Sequence, residues 1–310
     1  MHPVERSACA KVILCGEHAV VYGRPAIALP LPSLRAVARV EPATGGLTIN
    51  APDIGRTVRL CDAAADDPLA QIVRLTLAHL NKAAPDAMIT IRSAIPLGAN
   101  LGSGAAVSVA VARALAAYVG AELSAAACSA LAFEVEKRYH GTPSGVDNTV
   151  IAYEQPVWFV RGCPPEVLSD ITAIAADLPL VIADTGRATP THIPVGDVRK
   201  GWERDRARFE TLFDAIAEQV LRAREALQQR DWRALGKAMS ANHALLQQLD
   251  VSCPELDTLC QAALAAGALG AKMSGGGRGG VMLALARDAD HVASLSAALR
   301  AAGATRIYQA

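Results

Sequence analysis

The chain has 310 residues, is 52% hydrophobic but only 4% aromatic, and balances 30 Lys plus Arg against 30 Asp plus Glu. That length allows one large domain or two modest ones, with a core built from Ala, Leu, Val and Ile. A formal charge of zero leaves no basic surplus for nucleic acid or an anionic membrane, and neither is expected as a partner.

In chain order, residues 8–15 and 25–41 read as strands, joined through a turn at Gly23-Arg24-Pro25. Gly45-Gly46 precedes a strand near 47–51, residues 57–61 form a fourth, and 69–82 has helical spacing. Residues 87–94 alternate like a half-buried strand. A glycine-rich turn from Pro96 then runs into an alanine-rich helix over 103–119, and a second helix covers 123–139. A polar turn follows at Gly141–Asn148, then further strands, and a strand over 178–184 opens a second domain. Helices over 202–228, 231–248 and 255–266 come next. A strand at 269–273, a glycine loop at 275–280, a strand at 281–286, a helix over 288–302 and a terminal strand complete the chain. The expected class is α+β, with domains at 1–177 and 178–310.

The longest apolar stretch, 104–119, carries Arg113 and is rich in small residues, so it reads as a packed helix rather than a membrane span. The opening residues show no apolar run of a signal peptide. Seven cysteines, an odd number with no Cys-x-x-Cys pair, argue against a zinc finger or a disulfide framework. Buried thiols in a cytoplasmic protein are the expected state.

Four segments carry chemistry. The first, Pro96-Leu97-Gly98-Ala99-Asn100-Leu101-Gly102-Ser103-Gly104-Ala105-Ala106, places small residues and backbone N–H groups at a helix N-terminus, where phosphate is readily held. It is not the common NTPase loop, because Gly-x-x-x-x-Gly-Lys-Ser/Thr occurs nowhere. The second sets Lys11 in an apolar strand that leads to Glu17-His18. In the third, Glu136 and His140 stand four apart on one helix face, ahead of Asp147 in the polar turn. The fourth, Lys272 to Gly280, satisfies Gly-x-Gly-x-x-Gly, but a strand follows it where a dinucleotide fingerprint needs a helix. It reads as a flexible backbone clamp joining two strands. Each segment alone has an ordinary reading: a turn without a ligand, a solvated lysine, a surface glutamate, a turn aspartate. Together a cation, two carboxylates and a glycine cradle suit phosphoryl transfer.

In this order the segments resemble the GHMP kinase superfamily of galacto-, homoserine, mevalonate and phosphomevalonate kinases, over most of the chain. The stretches Lys11–Gly23 and His140–Asn148 look most like its mevalonate kinase branch. The resemblance implies a two-domain α+β fold with the active site in an inter-domain cleft. It implies ATP as co-substrate, Mg2+ as metal and mevalonate as acceptor, phosphorylated at its 5-hydroxyl. Asp147 would be the base and Lys11 would polarise the same oxygen; a neighbouring cation favours a charged carboxylate. Glu136 and Ser103 would hold the metal. Residues Pro96, Gly98, Ala99, Asn100, Leu101, Gly102, Ser103, Gly104, Ala105 and Ala106 would cradle ATP. Glu17, His18, Ser274 and Gly275 would fix mevalonate. A homodimer is suggested by the resemblance alone. Other acceptors in the superfamily (phosphomevalonate, homoserine or a sugar) and a non-catalytic nucleotide-binding relative stay open.

Departures from the pattern are specific. Asn100 and Gly104 stand where the family has glycine and a second serine, the residue often named as magnesium ligand. Asparagine tolerates positive φ better than most residues. Arg278 replaces a loop glycine, where it would add charge near phosphate or face solvent.

Overall fold

The computed structural model describes residues 2–140 and 143–309, without the side chains of 138–140, 172, 173, 175 and 176. Its contacts divide the chain into two compact units, Met1–Ala10, Leu34–Pro96 and Gly102–Glu154 in one, and Lys11–Ser33, Leu97–Leu101 and Gln155–Ala310 in the other.

Unit one takes the start of β1 (Val4–Cys15), the end of β2 (Ala26–Pro42), β3 (Thr48–Ala51), β4 (Arg56–Arg59) and β5 (Ala87–Ser93). β2 and β5 run antiparallel, from Ala36 opposite Ser93 to Pro42 opposite Ala87, while β3 lies parallel to β5 and antiparallel to β4. Ala87, Ile89 and Ile91 are buried on one face of β5, the alternation its sequence shows. Against this sheet and one another pack α1 (Pro68–His79), α2 (Ser103–Tyr118), α3 (Ala125–His140) and α4 (Val146–Tyr153). Most of α2 is buried, and its alanines allow that crowding. Arg113 survives there because its guanidinium reaches Glu154 at 2.7 Å and the carbonyls of Ser7 and Ala152.

Unit two centres on a four-stranded antiparallel sheet in the order β11-β8-β10-β9, made from β8 (Leu180–Asp184), β9 (Gly270–Ser274), β10 (Val281–Leu285) and β11 (Arg306–Gln309). Every residue of β8, β9 and β10 is buried. The glycine loop joins β9 to β10, with Val281 opposite both Ser274 and Asp184. The unit also holds β6 (Val157–Phe159), which pairs with the start of β2, and β7 (Glu166–Val167). Its helices are α5 (Ser169–Ala176), α6 (His192–Arg204), α7 (Arg206–Gln229), α8 (Trp232–Gln248), α9 (Pro254–Ala265) and α10 (Ala289–Ala301).

Two expectations change. The single helix over 202–228 is two helices, because the Asp205 carboxylate caps α7 by accepting from Arg208 N and ends α6. The polar turn at 141–148 ends early, since α4 begins at Val146 after Gly145, whose φ of 91° only glycine adopts easily. Gly141 and Thr142 lie outside the described residues.

Candidate active site

Positive φ at Gly98 (74°), Asn100 (62°) and Gly102 (77°) alternates with ordinary backbone at Ala99 and Leu101. Left-handed residues at alternate positions are one half of the right–left alternation from which anion-binding nests of N–H groups are built. Asn100 thus adopts the conformation expected of the glycine it replaces. Lys11, buried on β1, is clasped by the same turn: its N–H donates to the Leu101 carbonyl and its ammonium to the Asn100 carbonyl, both at 3.1 Å. Thus two segments 89 residues apart converge within unit two.

The segment after β1 is fixed as firmly. Glu17 is buried and paired with Lys272, whose ammonium also donates to the carbonyls of Ile13 and Met273. Asn242 on α8 accepts from Gly16 N–H at 3.3 Å and donates to Glu17 at 3.4 Å. His18 has a φ of 61° and sets Nε2 3.0 Å from the Gly276 carbonyl. Burial, with Arg278 adding repulsion, pushes its pKa down to about 4, against the pull of that carbonyl. A carbonyl only accepts, so Nε2 carries the hydrogen and Nδ1 keeps its lone pair. The Ser274 hydroxyl is committed to β1, donating to the Ile13 carbonyl and accepting from its N–H, both at 3.0 Å. The neighbouring Cys15 thiol is pushed up to about 12 by burial and is no nucleophile.

The glycine loop is docked against its surroundings. Its N–H groups at Arg278 and Gly280 donate to Val251 and Arg187 carbonyls at 2.8 and 2.7 Å, and Thr189 donates to the Arg278 carbonyl at 2.6 Å. A Cβ on Gly277 would stand 1.9 Å from the Val251 carbonyl oxygen, which explains glycine there. Arg278 does not face solvent freely; it binds Asp197 at 2.6 Å and Asp250 at 3.2 Å.

Unit one presents the remaining residues. Ser103 and Gly104 open α2 after Gly102, with no side chain capping the helix, so its first N–H groups face outward unpaired by a cap. A side chain at Gly104 would meet nothing within 4 Å, so the family's serine would fit. Asp147 is the second residue of α4, half-buried, where the helix dipole favours negative charge. The start of α4 is pinned by Asn148, which donates to the Ser129 carbonyl and hydroxyl, and by Thr149, which donates to Gly145 at 2.7 Å. Glu136 is half-buried on α3, which packs against α2 and α4. The side chain of His140, its expected companion, lies outside the described ones.

Among the described residues no group of three or more His, Cys, Asp and Glu forms a metal cluster. Mg2+ needs none: it keeps several waters and takes one or two carboxylates plus substrate phosphates. The hard oxygens of Glu136 and Ser103 fit that chemistry. Sequence reading gave no role to Lys272, Asn242 or Thr191; the only local signal was a lysine alternating into an apolar strand.

Two family models match, one described as GHMP kinases N terminal domain over residues 69–155, the other as GHMP kinases C terminal over 223–305. A mevalonate kinase of Thermococcus sibiricus is 35% identical over 303 residues, covering 91% of this chain and 89% of the relative. One from Pyrococcus horikoshii is 36% identical over 301 residues, covering 90% and 88%. The solved structure of L. major mevalonate kinase in complex with R-mevalonate matches with a TM-score of 0.83 at 32% identity, covering 98% of this chain and 94% of that one.

Proposed function

The chain belongs to the GHMP kinase family, and we propose that it transfers the γ-phosphoryl group of ATP to the 5-hydroxyl of mevalonate, giving 5-phosphomevalonate. The observation that carries the chemistry is the glycine turn, whose alternate left-handed residues suit a phosphate cradle and whose consecutive carbonyls hold Lys11, Asn100 accepting from its ammonium and Leu101 from its backbone N–H. Phosphoryl transfer asks mainly for position and charge stabilisation, and one rigid turn contributes to both.

In this reading the N–H groups from Gly98 to Ala106 hold the ATP phosphates and Lys11 polarises the acceptor oxygen. Asp147 accepts the proton of the 5-hydroxyl as its oxygen bonds to the γ-phosphorus and the bond to the ADP oxygen breaks. Glu17, His18, Ser274 and Gly275 form the mevalonate wall. The Lys272 ion pair holds Glu17 in place, and a neutral His18 adds no positive charge. Glu136 and Ser103 would hold Mg2+, which when bound neutralises charge on the phosphate oxygens. The ATP and catalytic motifs fall in 1–177 and the glycine loop in 178–310, the division we assign to the two functional halves. A homodimer is suggested by the family resemblance alone, and a cytoplasmic location by the odd number of unpaired cysteines; no described helix is long and apolar enough to cross a membrane.

The test is ADP release over a panel of alcohols, with Asp147→Asn beside the parent. Mevalonate should give the highest kcat/KM, and the variant should lose roughly 10²–10⁴-fold in kcat while staying folded. A better rate on homoserine, galactose or phosphomevalonate would overturn the substrate, and near-parental kcat in Asp147→Asn would overturn the base.

A further inference from the structure

We propose that the Asn100 side chain, pinned by Thr191, is a positioning residue for Lys11, holding the glycine turn in the conformation that aims the residue-100 carbonyl at the ammonium. The inference rests on the role given to Lys11 above and adds to it the device that keeps Lys11 in place.

Three observations converge within unit two. First, the Asn100 carbonyl accepts from Lys11 Nζ at 3.1 Å, from a residue whose backbone is left-handed, with φ 62°. Rotation of that one peptide would release the ammonium while leaving the Lys11 N–H bonded to Leu101. Second, Thr191 at the start of α6 donates from Oγ1 to Asn100 Oδ1 at 3.1 Å. If the amide were turned over, the hydroxyl would accept instead and the pin would persist.

Third, the glycine loop leaves a slot of that side chain's shape. A Cβ on Gly275 would stand 2.6 Å from Asn100 Cβ, and one on Gly280 2.6 Å from Asn100 Nδ2. One on Gly276 would stand 2.9 Å from Thr191 Cγ2 and 3.5 Å from Asn100 Oδ1. The asparagine is therefore a wedge between the phosphate turn and the glycine loop, not a passive stand-in for glycine.

Backbone tolerance alone does not explain it. Glycine reaches positive φ more easily than asparagine. The asparagine also leaves its Nδ2 buried with no acceptor among the described residues, a destabilising feature that glycine would avoid. What the side chain adds is a fixed turn.

The experiment uses the full chain and compares Asn100→Gly, Thr191→Val, Thr191→Ser, Lys11→Met and the doubles, reading kcat, ATP dissociation constant and thermal midpoint. Asn100→Gly should lower kcat about 10- to 100-fold, the scale set by small misplacements of a reacting group, a larger change than any it makes in ATP affinity. Thr191→Val should reproduce that loss without adding to it in the double variant, and Thr191→Ser should rescue it. In a Lys11→Met background Asn100→Gly should change nothing further. Parental kcat in Asn100→Gly, or a loss confined to thermal midpoint, would overturn the proposal, as would a full additional loss in the Lys11→Met background. Unchanged kcat in Lys11→Met would instead overturn the role of Lys11 itself.

Discussion

A histidine sealed from solvent is a pH gauge, and His18 is one. Its pKa falls from 6.5 to about 4 because burial disfavours the imidazolium, with the Gly276 carbonyl opposing and Arg278 adding to the effect. The folded pKa is thus depressed below the unfolded value. Above pH 6.5 both states are neutral and the residue contributes no pH dependence. Between 6.5 and about 4 the unfolded chain takes up the proton first, so stability falls as pH falls, by up to roughly 3 kcal/mol. His18→Gln keeps a donor for the Gly276 carbonyl but cannot titrate. Urea unfolding from pH 7 to 4 should therefore show the parent losing its stability relative to this variant across that window. A difference between the two proteins that stays constant with pH would mean that His18 is not held neutral.

At the scale of elements, α8 completes the outer edge of the four-stranded sheet. β9 is an edge strand, and its outward N–H groups at Ala271 and Met273 donate to Ser240 Oγ at 3.1 Å and His243 Nδ1 at 3.3 Å on α8. Covering an edge in this way removes a template for aggregation. One turn earlier, helix and strand touch backbone to backbone: a Cβ on Gly236 would lie 2.2 Å from the Leu269 carbonyl oxygen. Gly236→Ala should therefore cost about 3 kcal/mol, the upper end of overpacking, despite alanine's better helix propensity. Gly196→Ala on α6, where nothing lies within 4 Å, should instead gain about 0.5–1 kcal/mol. Chemical denaturation of the two variants checks both signs, and equal effects would refute the close approach. Such contacts were invisible in the sequence, where Gly236 interrupts a helical pattern without saying why. The elements themselves were legible where local signals agreed: α2 was expected over 103–119 and spans Ser103–Tyr118, and the glycine loop does join two strands. α4 was missed because Val146, Thr149, Val150 and Ile151 are β-branched and follow Pro143 and Gly145. Packing on α2 and α3, with the Asn148 and Thr149 bonds, overrides that local preference. The site divides likewise. Lys11, Glu17, His18 and Asn100 sat in short recognisable runs. Lys272 and Thr191 gain meaning only from partners 255 and 91 residues away.

Across the whole molecule the cysteines offer a built-in measure of opening. All seven are free; Cys61 and Cys163 are exposed, and Cys9, Cys15, Cys128, Cys253 and Cys260 are buried. The thiolate is the reactive form, so accessibility and acidity act together. Burial pushes Cys15 up to about 12, raises Cys260 further, and raises Cys128 and Cys253. A thiol reagent at pH 8 should therefore label two groups quickly in the native protein and all seven in denaturant. The remaining five report on opening, and they are shared between the units. Cys9 and Cys128 belong to one; Cys15, Cys253 and Cys260 belong to the other. β1 carries Cys9 and Cys15 on a single strand and contributes to both units, so disrupting it exposes thiols of each. The five should then react in one slow phase, with a rate set by unfolding. ATP and mevalonate at 100 times their dissociation constants should slow that phase about 100-fold for each ligand whose site must open first. Two slow phases, of two and three thiols, would mean that the units open independently and that the shared strand does not couple them.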